Sequence, residues 1–366
     1  MEPIRYFVPG PAFVREGVRE AMTREIVPHR SPSFLDLYGR LGPRLEQVFR
    51  TAGDVLVATS SSTFVMEAAL ISTVDSEVLN LTCGAFSERW HAIARCLGKH
   101  ADRVSAPWGE AIDPDVVRSA LRRKRYEAVT VVHNETSTGV MNPLQEIARV
   151  VREESDALVL VDAVSSLAGA PVETDAWGLD LVLAGTQKAL ALPPGLTVFS
   201  LSERAADRAA GIKHRGFYTD LLRYRDKHRS GGTITTPAVP IVYALDLQLE
   251  HILAEGMENR WQRHRRMAER AAQWVETVRG EVVAAADARS WTVTCLKPPI
   301  GVSAPSLRQR CGEKGWTIGG GYGDWKSSTV RIGHMGDVQM KDLEALIEVL
   351  EECMIELRRE QQAGES

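Results

Sequence analysis

Between about residues 55 and 200, short runs of apolar, β-branched residues alternate with longer stretches whose apolar positions recur every three or four residues. Unbroken apolar runs of this length suit buried strands and a period near 3.6 suits helices. Their alternation predicts helices packed on a mostly parallel sheet. Four runs stand out: VLVA (55–58), AVTVVH (128–133), ALVLVD (157–162) and DLVLAG (180–185), each giving way to small or polar residues. Ligands of open parallel sheets collect beyond the carboxyl ends of the strands, so the residues just after these runs are the first place to look for chemistry. From about Pro240 the texture changes. The stretch 243–280 predicts one long amphipathic helix bridging to a second unit, with short strands at WTVTCLKP (291–298) and STVRIGHM (328–335) and a closing helix from Met340.

Length supports two units. A chain of 366 residues exceeds the roughly 250 at which single cores stop growing. The reading divides it into a large α/β unit, 13–244, and a small α+β unit formed by 1–12 and 245–366. The charged runs LRRKR (121–125) and RWQRHRRMAER (260–270) read as solvated helix faces. A net charge of −4 gives no reason to expect nucleic acid or an anionic membrane as partner. Five cysteines, an odd number without C-x-x-C spacing, argue against a disulfide framework and a zinc site and favour a reducing compartment. The first residues lack a basic segment followed by an apolar one, no stretch reaches the about 18 apolar residues of a membrane span, and the last residues are not a peroxisomal signal. These features predict a soluble cytoplasmic protein acting on small molecules.

Lys188, in LAGTQKALALPPG, follows an apolar strand among small and apolar neighbours. An amine so placed is partly desolvated, which lowers its pKa and makes it nucleophilic toward an aldehyde; a strand-end lysine pointing to solvent is the plain alternative. Asp162 ends another strand, one crossover earlier, which brings it to the same sheet edge; it reads either as a buried carboxylate for a cationic ring nitrogen or as a helix N-cap. Ser60, Ser61, Ser62 and Thr63 lie between a strand and a good helix start, where backbone N–H groups and hydroxyls suit a phosphate, with Gln187 and Thr236 as further donors. Phe86 is a candidate to stack on a flat ring, and Thr136 and Ser137, in HNETSTG, to hydrogen-bond a hydroxyl on it. Arg331, in a strand-like stretch, carries a fork that binds carboxylates with two parallel hydrogen bonds.

PGP near the start, HRS at 29–31, the serine-rich turn, HNETSTG, VDAVSS, GTQKALALPPG, TTPAVP and RIGHMG follow one another in an order that resembles the class V aminotransferases, nearest the alanine/serine–glyoxylate (or pyruvate) branch. The resemblance covers nearly the whole chain and rests most on Asp162 and the Lys188 segment. It implies fold type I, with a large domain on a seven-stranded-type sheet, and pyridoxal 5'-phosphate bound to Lys188 as a Schiff base. By the same resemblance Asp162 pairs with the pyridine nitrogen, Val164 packs under the ring, and Ser61, Ser62, Thr63 and Gln187 hold the phosphate. Thr236 reaches that phosphate from the other subunit of a homodimer, Arg331 binds the substrate carboxylate, and Pro9 and Gly10 form part of the substrate wall. The implied reaction is ping-pong transamination between a small amino acid and a 2-oxo acid. Class V lyases and desulfurases share the fold, as do enzymes using aspartate, ureidoglycine or aminoethylphosphonate. A nicotinamide dehydrogenase is disfavoured because no strand is followed by G-x-G-x-x-G.

Three departures from the pattern concern the site. Phe86 stands where this branch often has tryptophan, S-S-T at 61–63 replaces S-G-H or S-G-T, and GGGYGDWKSS (319–328) replaces a commoner GGQG-type loop.

Overall fold

A computed structural model describes residues 3–364. Its main sheet has seven strands in the spatial order Val55–Ala58, Thr197–Leu201, Leu181–Gly185, Leu158–Asp162, Ala128–Val132, Glu77–Thr82, His100–Ser105. Only Thr197–Leu201 runs against its neighbours. The other six strands point the same way, so their carboxyl ends share one edge. The five strands on the Val55–Ala58 side are buried along their whole length, as expected of a parallel sheet covered on both faces. His100–Ser105 closes the far edge and is largely exposed; its His100, Asp102 and Arg103 blunt an otherwise open ladder.

Two apolar clusters sandwich this sheet. One joins it to the helices Pro32–Phe49, Leu144–Glu154 and Val239–Glu255, the other to Ser62–Thr73, Ala85–Cys96 and Glu203–Gly211. A third cluster lies under a five-stranded sheet ordered Tyr6–Phe7, Thr317–Gly320, Val330–Gly333, Val293–Lys297, Glu281–Val282, covered by Met257–Thr277, Ala304–Glu313 and Met340–Gly364. The chain's start adds the parallel edge of this sheet, Tyr6 and Phe7 pairing with Thr317 and Ile318. No described helix is long and apolar enough to cross a membrane.

Two expectations need correction. The single long helix is two, Val239–Glu255 and Met257–Thr277, because Gly256 at φ 82 reverses the backbone between them. The first is buried nearly all round rather than amphipathic. The run 260–270 is not a solvated face either. Arg260 is 1% exposed, His264 is buried, and only part of the run faces water. Arg260 is tolerated there because every direction of its guanidinium is met: Nε donates to Ala168 O, Nη2 to Ala189 O, and Nη1 to Asp337 and Glu255. The run 121–125 does lie at the surface, where Arg122 pairs with Glu154 and Lys124 with Glu77 and Asp102.

Candidate active site

Lys188 follows the strand Leu181–Gly185 in a turn closed by its own backbone, with Ala191 N donating to Lys188 O and Leu192 N to Thr186 O. Ala191 takes φ 56, and Arg260 holds the turn from below through Ala189 O. The side chain passes under residues 9–12: Lys188 Nζ donates to Pro9 O and Ala12 N to Gln187 O. A Cβ on Gly10, which sits at φ 106, would lie 2.6 Å from Nζ, so only glycine lets the chain cross there. Burial brings the Lys188 ammonium down to about 8, helped by Arg331, while Asp162 acts against the shift.

Asp162 is the last residue of Leu158–Asp162 and 5% exposed. Its Oδ1 accepts from Val164 N at 2.7 Å. Burial pushes its carboxyl up to about 7 and Glu135 adds to that, against the Val164 bond and the cations Lys188 and Arg89. A carboxylate so situated calls for a positive partner. At the neighbouring strand end, Ser61 is the N-cap of Ser62–Thr73 but its side chain makes no capping bond, and the buried Ser62 Oγ has no partner. A Cβ on Gly185 would meet Ser62 Oγ at 2.5 Å and Gln187 Oε1 at 2.7 Å, so these polar groups converge on a glycine-lined recess. Thr63 lies in the same first turn; Ser60 turns aside to Thr197 Oγ1. Thr236 is exposed, two residues before Ala238, whose N–H donates to Thr59 Oγ1.

On the opposite side the Phe86 ring lies 5.9 Å from Lys188 Nζ and 4.9 Å from the Arg89 guanidinium. Thr136 Oγ1 and Ser165 Oγ pair at 2.6 Å, which leaves one hydroxyl hydrogen of the pair free. Ser137 instead donates to Glu135 and accepts from Ala85 N, so its hydrogen is spent. Arg331 sits in Val330–Gly333, half-buried, with Nε on Gly320 O and Nη1 on Thr136 O. Its Nη2 makes no hydrogen bond among the described residues. Val164 packs partly buried against the cluster beside Asp162.

An amine, a buried carboxylate and an anion-suited helix start thus share the carboxyl edge of the main sheet, and a half-buried guanidinium from the small sheet reaches the loop beyond that edge at Thr136 O. The sequence profile described as "Aminotransferase class-V" matches residues 55–319. The chain belongs to the class-V aminotransferases. Like the family, this enzyme is a pyridoxal-phosphate-dependent transaminase. It is 36% identical to an uncharacterized aminotransferase of Methanocaldococcus jannaschii over 96% of this chain and 92% of that one. It is 32% identical to serine–glyoxylate aminotransferase of Methylorubrum extorquens, over 96% and 90% of the two chains. The structure of alanine–glyoxylate aminotransferase from Nostoc sp. superposes with a TM-score of 0.89 at 30% identity, covering 97% of this chain and 96% of the other.

Several residues of this class-V aminotransferase escaped sequence reasoning. Glu135 is wholly buried and accepts hydrogen bonds from Phe86 N, Ser87 N and Oγ, and Ser137 N and Oγ. It thereby fastens the start of Ala85–Cys96 to the loop that carries Thr136. The one signal was an acidic residue amid small and hydroxyl neighbours in HNETSTG. Arg260 and Asp337, beneath the Lys188 turn, gave none. Tyr322 lies in the departing 319–328 loop, its ring 5.7 Å from Phe86.

Proposed function

We propose that this enzyme moves an amino group between a small amino acid, alanine or serine, and a 2-oxo acid, glyoxylate or pyruvate. The observation that carries the reading is the convergence of Lys188 Nζ, the Asp162 carboxyl and the unpartnered Ser62 hydroxyl on one edge of the sheet. Pyridoxal 5'-phosphate, when bound, supplies an aldehyde for an amine to engage and a pyridine ring that draws electrons from the substrate Cα.

The chain's residues fit that group. Lys188, with its lowered pKa, has a substantial neutral fraction near pH 8 and is suited to engage the aldehyde. Asp162 gains from a protonated ring nitrogen the cation its burial demands. Ser61, Ser62 and Thr63, with Gln187, would take the phosphate at the helix start; Phe86 and Val164 would face the two sides of the ring. Of the two hydroxyl candidates, Thr136 with Ser165 retains a hydrogen to donate and Ser137 does not. Arg331 would take the substrate carboxylate on its free Nη2, against a wall formed by Pro9 and Gly10. The Lys188 amine, in its neutral form, would take the substrate Cα proton on Nζ and hold it there for return. Two half-reactions of this kind, the first product leaving before the second substrate enters, give ping-pong kinetics.

We further propose a cytoplasmic homodimer, each subunit with a large unit over 13–244, in which Thr236 serves the phosphate of the other subunit. Its exposure beside the serine turn supports this, as do the five free cysteines a reducing compartment. Desulfurase chemistry is less well supported: Cys295 and Cys311 are buried in regular elements, and burial pushes the Cys295 thiol up to about 11.

Lys188→Ala is the direct test. It should keep its far-ultraviolet circular dichroism while losing visible cofactor absorbance and transamination; an active, coloured variant would overturn the reading. The donor is read by offering alanine, serine, aspartate, ureidoglycine and aminoethylphosphonate singly, without acceptor, and following the visible band. Alanine and serine should change it fastest.

A further inference from the structure

The segment 319–328 departs from the family's common loop, and the reaction described above leaves it without a task. Its geometry is defined. Gly321 N donates to Thr329 O, Trp325 N to Tyr322 O, and Thr329 N to Trp325 O, closing the loop on itself. A Cβ on Gly321 would lie 2.1 Å from Trp325 O, so the closure depends on a glycine there. Trp325 then meets Trp108 edge to face at 5.2 Å, and a Cβ on Gly323 would sit 3.0 Å from the Trp108 ring. Trp108 follows the strand His100–Ser105 of the main sheet, so the loop is latched across from the small sheet to the large one.

That latch fixes Tyr322. Its ring lies between two groups already placed in the site, 5.7 Å from the Phe86 ring and 5.7 Å from the Arg331 guanidinium. Phe86 in turn is 5.9 Å from Lys188 Nζ. An amino acid whose carboxylate rests on Arg331 and whose Cα faces Lys188 therefore has the Tyr322 ring as a close neighbour.

We propose that Tyr322 is the specificity-determining wall of the donor pocket, restricting the enzyme to amino acids with short side chains. The inference rests on the transaminase reading and on Arg331 as the carboxylate anchor. Removing the wall opens the pocket to longer chains, and because a single methylene is worth about tenfold or more in a tight apolar pocket, the effect is large.

The test compares the wild-type holoenzyme with Tyr322→Ala and Tyr322→Phe. The kcat/KM ratio of alanine to leucine should fall by about tenfold or more in Tyr322→Ala and stay within about threefold of wild type in Tyr322→Phe, which keeps the ring. Calorimetric titration with unreactive acids gives a readout free of turnover: propanoate should bind Tyr322→Ala about as well as wild type, and 4-methylpentanoate at least about tenfold tighter than it binds wild type. A wild-type enzyme that transaminates alanine while Tyr322→Ala keeps the wild-type ratio and the wild-type preference between the two acids would overturn this inference and leave the reaction standing. A wild-type enzyme that turns over no amino acid would overturn the reaction itself, and this inference with it.

Discussion

Asp162 and Lys188 bring opposite charges to a place where neither is well hydrated, and each is driven toward its neutral form. This has a signature in the cofactor-free protein. Unfolded, Asp162 titrates near 4; folded, its carboxyl is at about 7. Between these values the folded chain holds a proton that the unfolded chain has released. Its favourable contribution is therefore complete below pH about 4 and is lost as pH rises to about 7. In a Lys188→Met background, so that the lysine does not titrate alongside, Asp162→Asn should raise the melting temperature at pH 8, by on the order of 2 kcal/mol of stability, and have little effect at pH 4. Calorimetry across that range checks it; a difference independent of pH would contradict the buried-carboxylate picture. In the holoenzyme the same Asp162→Asn change should reverse sign and slow turnover by roughly 100-fold, the ring nitrogen having lost its anion. Arg331→Lys should raise the donor KM by about tenfold with a smaller change in kcat, because a point charge replaces a fork that also holds Gly320 O and Thr136 O. At this scale the chemistry was legible where a polar residue ends an apolar run, as at Asp162 and Lys188. Glu135 was not, because three of its five donors come from a helix start almost fifty residues earlier in the sequence.

The elements that were easiest to read are those buried on both faces, where VLVA, LVLVD and LVLAG have no internal polar residue and AVTVV has only the buried Thr130. His100–Ser105 was missed because an edge strand presents polar side chains to water, and Tyr6–Phe7 because two residues carry no period. Of the false single helix over 243–280 only the second part, Met257–Thr277, carries the amphipathic spacing, and one glycine at the middle separates it from a helix buried nearly all round. Glu135 acts at this scale too. Both its oxygens accept, so a glutamine there would turn an N–H toward other N–H and O–H donors. Glu135→Gln should therefore cost about 1–3 kcal/mol in chemical denaturation and loosen Phe86 from the helix start; an unchanged unfolding midpoint would show that the start of Ala85–Cys96 is held by other means.

Across the whole molecule, the buried ion pair of Arg260 with Asp337 ties the helix Met257–Thr277 to the turn that presents Lys188 and to the segment following Val330–Gly333. Arg15 and Gln248 complete the set around Asp337. Burial opposes ionisation of Asp337, but Arg260 and Arg15 overcome it and hold its carboxyl below the ordinary value. The stability it supplies is present at neutral pH and lost as acid titrates it. Asp337→Asn should cost about 1–3 kcal/mol at pH 7, since it removes one of the two carboxylates on the buried Arg260 guanidinium while Glu255 keeps the other, and replacing both Arg260 and Asp337 by apolar residues should cost less than either single change. Urea unfolding of the three variants decides this. The architecture of helices on both faces of a mostly parallel sheet was legible in the alternation of strand and helix patterns, whereas this network was not, because an arginine in a charged run reads as surface until its partners are seen. The account as a whole stands on Lys188 as the cofactor's anchor. Reducing the purified holoenzyme with borohydride and mapping its peptides by mass should find a single phosphopyridoxyl group on Lys188; a label on another lysine, or none, would contradict it.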